Sequence, residues 1–182
     1  MTRTKPRGEL SARILAPLFR YVAERRGEAV LAESLARAGA PARARSRLAW
    51  LTHAEFEASL AAVRACVADE AEFLVACGHD LGRSYGAFAL VARAFSVALV
   101  YRILARTLHV FSRVSAFEYA DLGGSRVWLR YTSPLRESRL MCLSRIAQLS
   151  LAPTVSGLPA ATVEERQCIG RGDPCCEYVI RW

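Results

Sequence analysis

The run that most restricts the fold is the last fifteen residues, Cys168-Ile-Gly-Arg-Gly-Asp-Pro-Cys-Cys-Glu-Tyr-Val-Ile-Arg-Trp182. Cys168 and Cys176 flank Gly170, Gly172, Asp173 and Pro174, which supply positive φ, a local side-chain cap and a fixed φ. That composition predicts a β-hairpin with thiols at its neck. Strand side chains alternate with period two, so Cys176, Tyr178, Ile180 and Trp182 share one face. The C-terminus therefore reads as a core strand rather than a tail.

Upstream, Leu10, Ile14, Leu15, Leu18, Phe19 and Val22 recur at helical spacing, with Pro17 set to bend or re-nucleate the helix. A second helix follows Gly27 and stops at Gly39. Thr52-His-Ala-Glu55 is a capping box that opens a helix from 53 to about 67. Short helices are expected over Ala71–Leu81 and within Tyr85–Phe95, and a long one from the Ser96 cap to about Arg113. The period then changes to two around Asp121-Leu-Gly-Gly124, a hairpin signal. Ser133-Pro134 opens a further helix carrying Leu140, Cys142, Leu143, Ile146, Ala147 and Leu151. This order predicts an α+β chain: a helical N-terminal half packed on a small antiparallel sheet of two β-hairpins, with a crossing helix between them. Residues 1–9 read as a basic flexible tail, and residues 10–182 as a single domain.

Composition narrows the partners. The formal charge is +8, yet Lys5 is the only lysine and the arginines are dispersed through an Ala- and Leu-rich chain. The densest basic cluster, within 42–47, reads as a solvated loop, so no specific nucleic-acid partner is expected. Arg93, Arg102 and Arg106 interrupt the longest apolar stretch, Phe88 to Phe111, so no membrane span is expected. The N-terminus lacks the apolar core of a signal peptide, which points to the cytoplasm. There, six cysteines suggest thiols or a metal site before disulfides.

Cys142, Glu165, Cys168 and Cys176 are the strongest chemical set. Soft thiolates with one carboxylate suit a closed zinc site, in which Cys142 would join the helix to the hairpin neck. Glu165 lies an odd number of positions from Cys168, so a bulge is needed to bring both to one side. Buried, inert thiols are the alternative, and Cys175 is a spare.

Tyr131-Thr-Ser-Pro134, Arg-Leu-Met-Cys142, and Cys168-x-x-Arg-Gly-Asp-x-x-Cys176 followed by an apolar strand together resemble the superfamily of vinyl-reductase-type and haem-NO-binding (H-NOX-like) sensor domains. The same fold occurs in vesicle-tethering subunits. The resemblance covers the C-terminal third; elsewhere it extends only to element order. It implies structural zinc on Cys142, Glu165, Cys168 and Cys176, which match the spacing of a helix Cys, then Glu-x-x-Cys, then a Cys eight further on. The haem-binding branch implies a second site, with His109 as proximal ligand and Tyr131 and Ser133 in the Tyr-x-Ser-x-Arg clamp for the propionates. Leu135 holds the clamp's arginine position and Arg136 follows it.

His53, His79 and His109 are the only histidines, and no nucleophile, paired-carboxylate or dinucleotide motif accompanies them, so an enzyme is the minority reading. The leading expectation is a sensory domain enclosing an apolar or aromatic molecule among Phe88, Phe95, Val100, Trp128 and Tyr131. It would report through a homodimer, a downstream partner or a fused output domain. The alternatives are a haem-based gas sensor using His109, Tyr131, Ser133 and Arg136, and a ligand-free interaction module.

Overall fold

The computed structural model of the chain describes residues 8–80 and 96–182. The short helix expected within Tyr85–Phe95 lies outside the described residues. In the N-terminal half, Leu10–Ser11 (β1) pairs with Trp50–Leu51 (β2), a bridge that two-residue strands do not announce in sequence. A 3-10 turn, Ala12–Leu15, precedes helix α1, Ala16–Arg26, and Pro17 sits in the first turn of α1, where an N–H is dispensable. Pro17 therefore re-nucleates rather than bends. Gly27, at φ 96°, separates α1 from α2 (Glu28–Arg37). Helix α3 (His53–Cys66) carries the expected capping box: the Thr52 hydroxyl accepts from Glu55 N–H at 3.3 Å, and Thr52 N–H donates back to Glu55 at 2.8 Å. Helix α4 spans Glu70–Gly78.

Helix α5 starts at the expected Ser96 cap but covers only Val97–Arg106. The Thr107 hydroxyl and N–H both donate to the Ile103 carbonyl, and the chain tightens into a 3-10 turn over Leu108–Val110. The helix expected to reach Arg113 thus ends about two turns early. Four strands then build an antiparallel sheet: β3 (Ala116–Asp121), β4 (Arg126–Thr132), β5 (Thr162–Gln167) and β6 (Cys176–Arg181), in the order β3-β4-β6-β5. This is the expected pair of hairpins, joined edge to edge through β4 and β6. The register of β5 slips between Glu165 and Gln167, where the bulge was needed.

Between the hairpins runs α6, Arg139–Leu151, which begins at the Ser138 cap rather than at Ser133-Pro134. Glu57 of α3 fixes that start, accepting from Ser138 N–H at 2.8 Å and from the Ser138 hydroxyl at 2.5 Å. Helix α6 is the wall between two cores. Its Met141, Leu143 and Ala147 pack into a helical core with Leu15, Val22, Leu60 and Phe73. Its Cys142 and Leu149 pack against the sheet, with Tyr101, Val127, Leu129, Cys176, Tyr178 and Ile180. The fold is therefore α+β, with one apolar layer on each side of α6. No described helix is long and apolar enough to cross a membrane.

Candidate functional site

Where α5, α6, the sheet and the β1 region meet, they leave a cavity of about 100 Å³. Its wall is predominantly apolar, with Ile14, Phe56, Val100, Leu104, Leu108, Phe117, Met141 and Leu149, and carries Ser112, Tyr131, Ser144, Arg145 and Gln148 as its polar members. An apolar cavity of roughly 150 Å³ holds benzene or xenon, whereas drug-sized ligands occupy pockets of about 300–1,000 Å³. The space accordingly suits a molecule of a few heavy atoms.

The sequence placed five residues here. Val100 and Tyr131 line the cavity. Phe88 and Phe95 lie outside the described residues. Trp128 does not belong with Tyr131: the two are an odd number of positions apart on one strand and so face opposite sides of the sheet. Val127, Leu129 and Tyr131 face the core, while Trp128 lies outward beneath Arg130, whose guanidinium sits 5.1 Å from its ring centre.

Beside the first turn of α6 the hairpin neck gathers three thiols. The Sγ atoms of Cys142, Cys168 and Cys176 lie within 4.8 Å of one another, all buried, and Cys142 and Cys176 are 3.7 Å apart. The local sequence explains the neck. The Asp173 carboxylate accepts from Cys168 N–H at 2.7 Å, and Gly172 turns the chain at φ 102°. A Cβ on Gly170 would meet the Arg139 backbone at 2.8 Å, so only glycine lets the turn rest on the start of α6. Hydrogen bonding from Cys142 lowers the Cys176 pKa against the opposing cost of burial. The Arg145 charge, Ile169 N–H and the Tyr178 hydroxyl assist. Cys142 is correspondingly raised by the same hydrogen bond and by burial. Of the two, Cys176 is the one whose thiolate is favoured.

These three thiols offer soft ligands on one side of a tetrahedron, as zinc requires. Glu165 is not with them. Both its carboxylate oxygens accept from Arg139 Nη1, at 2.6 and 2.7 Å, and the same nitrogen lies 3.2 Å from Cys168 Sγ. Arg139 thus stands between the carboxylate and the thiols, and it must swing away before Glu165 can complete a metal site. Cys175 stands apart from the three: its thiol donates to Gln167 at 2.8 Å.

The cavity and the thiols share one residue that sequence reasoning missed. Arg145 lines the cavity and stacks over the Tyr131 ring at 3.5 Å from its centre. Its Nη1 donates to Cys176 Sγ at 3.4 Å and to the Tyr178 hydroxyl at 3.3 Å, while its Nη2 donates to the Glu137 carboxylate. Glu137 also accepts from the Tyr131 hydroxyl, which lies 2.8 Å from Ser115 Oγ. The Glu137 side chain is wholly buried and that of Arg145 is 13% exposed. Burial pushes the Tyr131 phenol up to about 12, so it stays a donor. The signal was available: Cys142, Arg145 and Leu149 fall at i, i+3 and i+7 on the sheet-facing side of α6, an arginine in an apolar stripe.

The residues assigned to haem separate. His109 is exposed, its Nδ1 3.2 Å from the Arg106 carbonyl, and Leu108 faces the cavity in its place. Arg136 is exposed as well. Ser133 Oγ accepts from Leu135 N–H at 3.2 Å, and the Tyr131 hydroxyl is turned to Glu137. The residues in place therefore do not fit haem: no described histidine lines the cavity, and the clamp's tyrosine already serves an internal carboxylate.

No family model matches the chain, and no curated protein matches it. Solved structures do. An unliganded Fe(II) H-NOX protein from K. algicida is similar at 10% identity and a TM-score of 0.69, covering 94% of this chain and 96% of that one. A mutant H-NOX protein from S. oneidensis in the Fe(II) ligation state has 17% identity and a TM-score of 0.68, covering 94% and 95%. An oxygen-binding H-NOX domain related to soluble guanylate cyclases has 14% identity and a TM-score of 0.65, covering 94% and 93%. Identity this low carries the architecture and nothing finer. The chain has an H-NOX-like fold.

Proposed function

We propose that residues 10–182 form a single ligand-binding domain that senses a small apolar or aromatic molecule in the cavity between α5, α6 and the sheet. It would act in the cytoplasm through a homodimer, a downstream partner or a fused output domain. The observation that carries this reading is the predominantly apolar cavity with Tyr131 and Arg145 together in its wall. Small-molecule sites have that construction. Arg145 would carry occupancy onward, because it touches both the cavity and Cys176. A thermal-shift series with xenon, cyclopropane and benzene tests the reading: wild-type protein should gain several degrees, and Val100→Trp, which fills the cavity, should gain none. A wild-type melting temperature that no apolar probe raises would refute it.

Structural zinc on Cys142, Cys168 and Cys176, with Glu165 as fourth ligand once Arg139 releases it, is part of the same proposal. Bound there, zinc would tie α6 to the terminal hairpin and fix the Arg145 end of the cavity. Its support is the convergence of three thiols from two distant segments.

A haem-based gas sensor is the second reading, favoured by the structural neighbours, which are described as Fe(II) and oxygen-binding H-NOX proteins. Protein produced with added haem decides it: a Soret band would establish haem, and a colourless protein that also fails to take up haem in vitro would leave the haem-free sensor.

A further inference from the structure

The polar end of the cavity carries a charge that is already neutralised from within the protein. Arg145 is the only charged side chain among the described residues that line the cavity. An unpaired guanidinium there would make the site a receptor for carboxylates, the planar acceptors that arginine binds best. Both terminal nitrogens are instead committed elsewhere, Nη2 to Glu137 and Nη1 to Cys176 and Tyr178. Glu137 does not line the cavity. Its carboxylate sits behind the wall, fully buried, and takes the Tyr131 hydroxyl as well as Arg145. It therefore occupies the two donors that an anionic ligand would need.

We propose that Glu137 sets the charge selectivity of the cavity: as the built-in carboxylate partner of Arg145 and Tyr131, it restricts the site to neutral molecules and excludes anions. A second carboxylate entering from the cavity would meet a cation already paired, would lie close to a like charge, and would lose its hydration without compensation. A neutral molecule loses little on entry. The inference rests on the reading of this cavity as a ligand site and adds the ligand's charge class and the residue that selects it. Glu137 acts through Arg145 and is a positioning residue.

The test uses two molecules of the same shape and different charge, small enough for the cavity, nitroethane and propionate, each titrated against the full chain by thermal shift and calorimetry. Wild-type protein should take the neutral compound and bind propionate at least about tenfold more weakly. Glu137→Gln, which keeps the shape and removes the charge, should reverse that order, while Glu137→Asp should retain it. A merely structural role would weaken both compounds alike. If Glu137→Gln folds poorly, propionate and not its neutral isostere should restore folding, and the Glu137→Gln, Arg145→Gln double variant should bind only the neutral compound. Equal binding of both compounds by wild type, or an unchanged preference in Glu137→Gln, would overturn the proposal while leaving the ligand site standing. Failure of the neutral compound to bind wild type would remove the ligand site, and the selectivity with it.

Discussion

The neck of the terminal hairpin and the end of α5 were each expected to present a metal-binding side chain, and they came out differently. At the neck, cysteines from α6 and from both sides of a tight turn converge within 4.8 Å, buried. At the end of α5, His109 points to solvent. The neck is held by several agreeing determinants: the period-two strand, Gly172 in the left-handed region, Asp173 closing the turn, and Gly170 resting on α6. His109 depended on a single assumption, that the helix continues. Thr107 ended the helix two residues before it, and the 3-10 turn that follows presents Leu108, not His109, to the cavity. Side chains positioned by many concurring local constraints are legible; those positioned by the length of one element are not.

The largest effect that would test this contrast lies beside the neck. Glu137 and Arg145 are a buried ion pair, and removing one partner strands the other's charge at a cost of about 3–5 kcal/mol. Glu137→Leu and Arg145→Met should each lower unfolding free energy by that amount in urea titrations. The double variant should recover most of it, because apolar replacements of a buried pair are often neutral or stabilising. Single variants that lose less than about 1 kcal/mol would mean that the pair is solvated and does not organise the neck.

The next effect concerns metal. If the thiols hold zinc, binding energy is folding energy, so Cys168→Ser and Cys176→Ser should each release the metal and lower the melting temperature sharply. Glu165→Gln should be intermediate, since the three thiols remain and only the ion pairs to Arg139 and Arg171 are lost. Cys175→Ser should be mild, at about 1 kcal/mol or below, because it alters one local hydrogen bond to Gln167. Zinc per chain by elemental analysis, beside a melting curve for each variant, makes the check. Wild-type protein purified without chelator and free of zinc would reduce the neck to a cluster of core thiols.

Much of the fold was legible for the same reason as the neck. The capping box at Thr52, the Ser96 cap, both hairpins, the bulge after Glu165 and the inward face of β6 follow from local sequence whose signals agree. Three features were not. Helix α6 starts at Ser138 because Glu57, far away in sequence, holds that residue. Trp128 was grouped with Tyr131 by residue type, against the strand period that separates them. Arg145 passed unnoticed because an arginine in a predominantly apolar helix reads as a surface residue unless its place in the stripe is counted. Its partner Glu137 sits before the helix and has no periodic relation to it.

The smallest expected effect is the most direct probe of the end of α5. His109 is exposed, and its contact is with the carbonyl of Arg106 within the same turn, a contact that solvent replaces readily. Exposed substitutions away from caps, cavities and charge networks fall within about ±0.5 kcal/mol. His109→Ala should therefore leave the melting temperature, zinc content and binding of small apolar probes unchanged. Leu108 supplies the neighbouring contrast: it lines the cavity, so Leu108→Ala should weaken probe binding while His109→Ala does not. Should haem-supplemented protein show a Soret band, the same variant gives the decisive reading. A band that His109→Ala leaves in place would assign the iron ligand elsewhere, whereas a band that it abolishes would mean that the turn over Leu108–Val110 rewinds to bring His109 inward, erasing the difference between the two regions.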